Sequence, residues 1–113
     1  MAAVYVSNLV VNTGTTFTQT FSLENSDSSS ALNLGGYTIS AQMRKHAGSS
    51  SYVAFDSSVL NPTAGTIRVG LGTTTTASLK PGRYVYDVLI TDNSGTITRV
   101  VEGSVLVREG VTR

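Results

Sequence analysis

The residues able to do chemistry are few in this 113-residue chain. His46 is the one histidine, and there is no cysteine. A zinc site built on His46 would lack both a second imidazole and any thiolate. A Ser-His-Asp triad would also have to recruit His46, and no G-x-S-x-G elbow is there to present a serine. With Arg44 and Lys45 before it and a Gly-Ser stretch after it, His46 reads as an exposed loop residue. The carboxylates are Glu24, Asp27, Asp56, Asp87, Asp92, Glu102 and Glu109. Two carboxyl groups roughly 5–10 Å apart across a cleft can hydrolyse a glycosidic bond. Asp87 and Glu102 are the pair that a final hairpin would bring close. A small sandwich offers them no deep cleft, and the chain has no Trp to stack on a sugar. ENSD (24–27) carries only part of a calcium loop's oxygen set. GLGTTTT (70–76) lacks the Lys that follows a phosphate-cradling loop; Lys80 comes too late and precedes Pro81. These readings predict no catalytic residue, no metal and no cofactor.

Composition narrows the classes further. Net charge is +1 and charged residues make up 13% of the chain, about half the usual share. Six Arg and two Lys are scattered, with no basic run longer than Arg44-Lys45. That pattern does not predict a nucleic-acid partner. No apolar run approaches the ~18 residues of a membrane helix. MAAVYVSNLVV lacks a basic leader and carries Ser7 and Asn8 within it, so it reads as a first strand rather than a signal peptide.

Whatever these residues do, strands must position them. Ser and Thr together are 31 of the 113 residues, and helix-forming residues are scarce. Period-two alternation recurs along the chain. Strands are predicted over 3–11, 15–23, 37–45, 51–59, 66–71, 83–91 and 96–109. GTTTTASL (72–79) is a connection with room for one helical turn. Asp92-Asn93-Ser94-Gly95 is a hairpin turn, with Gly95 suited to positive φ. A bend or bulge is expected at Gly103. The prediction is one domain over 1–113, an all-β, antiparallel, immunoglobulin-like sandwich of about seven to eight strands.

The segment PGRYVYDVLI (81–90) holds the most informative strand. Tyr84, Tyr86, Val88 and Ile90 form one apolar face. Arg83, Val85, Asp87 and Leu89 form the other, which is apolar apart from Arg83 at its end and one carboxylate in its middle. A three-residue turn places Arg99 beside Leu89, diagonal to Asp87, as its counter-ion. Such a pair would pin register more than add stability. The final strand also reads as apolar on both faces. An antiparallel sheet usually keeps one wet face, so a partner is expected to cover the second. The expected interface residues are Val4, Val6, Leu9, Val85, Leu89, Val105 and Val107. Tyr52 and Phe55 near a hairpin tip leave a carbohydrate-binding surface as an alternative.

GTTFTQTFSL, LNLGGYTISAQMRK, AGTIRVGL, LKPGRYVYDVLI and SGTITRVVEGSVLVREGVT, in this order and spacing, resemble a known module. They look like the immunoglobulin-like N-terminal domain of phage baseplate upper proteins and related small tailed-phage virion proteins. The resemblance covers about residues 12–112. It implies an architectural, non-enzymatic role: a tail, baseplate or fibre-attachment subunit, made in the host cytoplasm and resident in the virion. Its partners would be other virion proteins and further copies of itself. A head-surface decoration protein is the alternative placement. The chain ends at Arg113 without the linker, coiled coil and distal domain of the longer proteins, so a stand-alone subunit is expected.

Overall fold

Alternating apolar and polar residues fold as strands nearly everywhere the sequence shows them. The computed structural model describes residues 5–24 and 33–110. Among these the strands are β1 (Tyr5–Val6), β2 (Leu9–Asn12), β3 (Phe17–Ser22), β4 (Thr38–Arg44), β5 (Val53–Ala54), β6 (Asp56–Asn61), β7 (Thr66–Leu71), β8 (Gly82–Thr91) and β9 (Ile97–Arg108). One short helix, α1 (Thr73–Ala77), lies between β7 and β8. Two expected strands are each divided. The first breaks at Ser7-Asn8 into β1 and β2. The return strand breaks at Phe55, where the chain leaves one sheet for the other.

The larger sheet runs β1/β2–β9–β8–β4–β5, and the smaller runs β3–β7–β6. β1 and β2 lie parallel to β9; the remaining pairs are antiparallel. Two sheets in this order make an immunoglobulin-like sandwich. One hallmark of that fold is a tyrosine near the start of the penultimate strand that bonds back to the preceding corner. Tyr84 fills this role: its hydroxyl donates to the Lys80 carbonyl at 2.8 Å.

The core lies between the sheets. Leu9, Val11, Ala41, Met43, Tyr86, Val88, Ile90, Val101, Val105 and Val107 face inward from the larger sheet. Ile67, Val69 and Leu71 meet them from the smaller one. Phe55, at the crossing between sheets, packs on Phe17 and Tyr86 with ring centroids 6.2 and 6.0 Å apart. Below the sandwich, the buried Thr76 hydroxyl donates to the Thr15 carbonyl at 2.7 Å, with the Thr73 carbonyl at 3.2 Å. That bond fastens α1 to the β2–β3 turn. GLGTTTT is thus the end of β7 running into a five-residue helix.

The bulge sits elsewhere than expected. Pairing shifts between Val88 and Leu89, so Val88 faces Val101 while Leu89 faces Arg99. Val100 is the extra residue, and both Val100 and Val101 are fully buried. Gly103 is in regular pairing opposite Tyr86. It serves a different purpose: the chain crosses over it at Ser7, and a Cβ there would collide with the Ser7 backbone.

Candidate interaction face

The outer face of the larger sheet collects most of the chemistry-bearing side chains. Register dictates this. Tyr86 and Val88 point into the core, so Val85, Asp87 and Leu89 must point out. Asp87 pairs with Gln42 on one side and Glu102 on the other, while Arg44 pairs with Val85. The face forms an open concavity of about 750 Å³ whose lining includes Val6, Arg44, His46, Val85, Asp87 and Glu102.

Asp87 finds the counter-ion expected for it. Arg99 Nε lies 3.3 Å from Asp87 Oδ2. The Arg99 side chain is 55% exposed and the Asp87 side chain 38%. Water screens the pair, so it contributes at most about 1 kcal/mol. Its geometric effect is larger. A one-residue slip between β8 and β9 would send Arg99 to the opposite face. Glu102, directly across from Asp87, sets a like charge beside the pair. Asp87 is part-exposed and held by a guanidinium, a geometry suited to ion pairing.

Arg44 organises the next part of the face. Its Nη1 donates to the Ser49 carbonyl at 2.5 Å and its Nη2 to Gln42 Oε1 at 3.1 Å. Its guanidinium lies over the Tyr52 ring, 4.9 Å from the centroid. Phe55 is buried in the core. The pair proposed to stack on sugars is therefore absent as such: one ring is internal, and the other has a face occupied by Arg44. His46 is exposed on the β4–β5 hairpin, where its carbonyl accepts the Ser49 amide. Among the described residues no three His, Asp or Glu side chains converge into a metal-holding group. Asn25 to Asp27 of the acidic loop lie outside the described residues.

The expected interface set divides. Val6 is 77% exposed and Val85 40% exposed, both on the outer face, and Leu89 is half-buried beside them. Val4 lies outside the described residues. Leu9, Val105 and Val107 must be corrected: they are buried in the domain's own core. The reason is the parallel register, which sets Leu9 on Val105 and Val11 on Val107 with all four turned inward. The outer face of β9 is likewise less apolar than expected. The bulge turns Val100 and Val101 inward together and leaves Ile97, Arg99, Glu102, Ser104 and Leu106 outside.

Two tethers at the rim of this face fell outside the sequence reading. The Tyr86 hydroxyl donates to the Ser7 carbonyl at 2.6 Å. Burial pushes that hydroxyl above its ordinary value, against a smaller opposing pull from the Ser7 bond. Asn8 Oδ1 accepts from both the amide and the hydroxyl of Ser104, each at 3.1 Å. The available signal was the polar Ser7-Asn8 pair inside an apolar run, opposite a glycine in a strand.

No protein-family model and no curated protein matches the sequence. Solved structures do match. An internalin-like protein of Listeria monocytogenes aligns with 93% of this chain at 15% identity, TM-score 0.47. The SrpA adhesin of Streptococcus sanguinis aligns with 96% at 11% identity, TM-score 0.54. The chain spans 28% and 57% of those two proteins. At 11% identity the likeness to the SrpA adhesin concerns the sandwich fold alone.

Proposed function

We propose that the chain is a non-enzymatic structural module of a tailed-phage virion, at the tail, baseplate or fibre attachment, that works by protein–protein contact. The observation that carries this reading is the outer face of the larger sheet. Val6 and Val85 stand exposed around Asp87, Arg99 and Glu102 on a broad, open surface. A small-molecule site normally encloses most of its ligand. An open face with apolar anchors and charges of both signs fits the anatomy of a protein interface, an apolar centre with a polar rim. The ordered sequence blocks from GTTFTQTFSL to SGTITRVVEGSVLVREGVT supply the virion context, and many copies on a symmetric particle would multiply a modest contact.

Purified particles of a phage that encodes the chain provide the test. The chain is expected among their proteins, cross-linked to a neighbour through the outer face. Val85→Lys places a charge at the centre of that face without touching the core, and is expected to abolish incorporation. Absence of the chain from particles, or full incorporation of the variant, would overturn the reading. Labelled-particle imaging separates tail or baseplate placement from head decoration.

A further inference from the structure

The smaller sheet has an edge that nothing among the described residues covers or guards. Because β1 and β2 pair with β9, no strand among the described residues lies beyond β3. Natural edges are blunted by short length, charge, proline or a bulge. The other edges show such devices. β5 has two residues. β6 opens on Asp56, carries a register shift between Val59 and Asn61, and runs into Pro62. On the first-strand edge, β1 and β2 have two and four residues, separated by a break. β3 has six residues in regular pairing and reads FTQTFS, without charge, proline or bulge.

Its free groups can be assigned. The Leu23 amide donates to the Gly65 carbonyl, continuing the β3–β7 ladder. N–H and C=O groups alternate in direction along a strand, so those of Phe17, Gln19 and Phe21 also face β7. Those of Thr18, Thr20 and Ser22 therefore face outward. Gln19 Nε2 already reaches around to the Thr20 carbonyl at 3.3 Å, a long bond holding the place of a missing strand. Phe17 and Phe21 are only half-buried.

We infer that β3 pairs antiparallel with β3 of a second copy of this chain, about a two-fold axis at Thr20. This register is self-complementary. Thr20 meets Thr20, and Thr18 meets Ser22. The three outward amides of each copy find carbonyls of the other. Thr–Thr and Thr–Ser are favourable cross-strand pairs, and no charge opposes them. On the inner side Phe17 falls opposite Leu23 and Phe21 opposite Gln19. The two three-stranded sheets become one continuous sheet. This pairing is a property of the chain itself and does not depend on a place in a virion.

Sedimentation equilibrium of the purified chain tests it. A contact this small predicts a dissociation constant on the order of 10 µM. Thr20→Lys sets two like charges face to face at the axis and is expected to give a folded monomer; the new charge also lies across from Arg68 of its own chain, so a small fall in the thermal midpoint is expected with it. Thr20→Pro removes one outward amide from each copy and is expected to weaken the dimer about thirtyfold. Amide exchange at Thr18, Thr20 and Ser22 is expected to slow as concentration rises in the unaltered chain and not in Thr20→Lys. A chain that stays monomeric up to about 1 mM would overturn the inference. A dimer that survives Thr20→Lys, or that Val85→Lys dissolves instead, would overturn it too.

Discussion

Gly103→Ala should damage this domain more than its chemistry implies. Gly103 does not have a positive φ, so alanine meets no backbone strain there. It would even gain roughly 0.4–1 kcal/mol by narrowing the unfolded chain's freedom. The obstacle is Ser7. A Cβ on Gly103 would overlap the Ser7 carbonyl oxygen and approach the Ser7 carbonyl carbon to 2.8 Å, with Asn8 Oδ1 at 3.2 Å. The first two contacts are with backbone, so no side-chain rotation relieves them. Ser7 must retreat, and it is held by its amide bond to the Glu102 carbonyl at 2.9 Å and by the Tyr86 hydroxyl. Forcing extra volume into packed structure costs about 1–3 kcal/mol. Each hydrogen bond lost costs about 1 kcal/mol. After the unfolded-state gain, a net loss of about 2–4 kcal/mol is expected. For a domain near 100 residues that lowers the thermal midpoint by roughly 10–25 °C. Urea denaturation of Gly103→Ala, Tyr86→Phe and the double variant gives the decisive reading. Tyr86→Phe by itself should cost about 1–2 kcal/mol by stranding the Ser7 carbonyl. In the Gly103→Ala background that carbonyl has already moved away, so the second substitution should cost little. Additivity within about 0.3 kcal/mol would refute the coupling through Ser7.

Thr76→Val keeps the shape of the side chain but leaves the Thr15 carbonyl without its donor. It should lower the urea-derived stability by about 1–3 kcal/mol, with the denaturant slope unchanged. Asp92 sits in the β8–β9 turn with its carboxylate below the ordinary 3.8, held there first by the Ser94 hydroxyl and next by the Thr96 amide. The native state favours the ionised form, so this stabilisation is present above about pH 4 and is lost as pH falls through the lowered native value. Asp92→Asn should therefore flatten the acid limb of the stability curve, measured as urea midpoints at about pH 5 and pH 2.5. Tyr86 has the opposite sense. Its raised native value means stability is fully present below pH 10.0 and declines as pH rises through the native value. Tyr86→Phe should lessen that alkaline decline. Asp87→Asn should shift stability by less than about 1 kcal/mol, because losing the exposed Arg99 partner is offset by relief from Glu102.

Much of the sandwich was legible because the alternation of buried residues has the period of the strand itself. Tyr84, Tyr86, Val88 and Ile90 read correctly as the inner face of β8, and Tyr37, Ile39, Ala41 and Met43 as that of β4 and the residue before it. Gly95 read as a positive-φ turn residue, and its φ is 89°. That turn, in turn, set Arg99 beside Leu89 and against Asp87. The bulge was illegible for a simple reason. Val100 and Val101 are both apolar, so the pattern is the same whichever of them is the inserted residue. A polar residue at either position would have marked it. The same ambiguity placed Leu9, Val105 and Val107 on an interface. Apolar residues in a terminal strand state that they are covered, without stating by what. Parallel pairing between the first and last strands joins residues nearly a hundred positions apart, and no local pattern carries that information.

That one pairing shapes both of the contact surfaces, the outer face of the larger sheet and the β3 edge. An N-terminal strand in such a sandwich has two edges available, β9 in the larger sheet and β3 in the smaller. Here Gly103 leaves room for the chain to cross, Tyr86 and Ser104 hold Ser7 and Asn8 as it does, and Leu9 and Val11 reach the core on the β9 side. The choice extends the outer face of the larger sheet by Val6 and Val10. It also leaves the outer edge of β3 open among the described residues. Had the strand gone to β3, the open edge would be closed, and β9 would itself become the edge, with Val105 and Val107 losing their cover from Leu9 and Val11. The residues that fix the crossing therefore act at a distance on both contact surfaces, although Tyr86 and Gly103 themselves offer a partner almost nothing to touch.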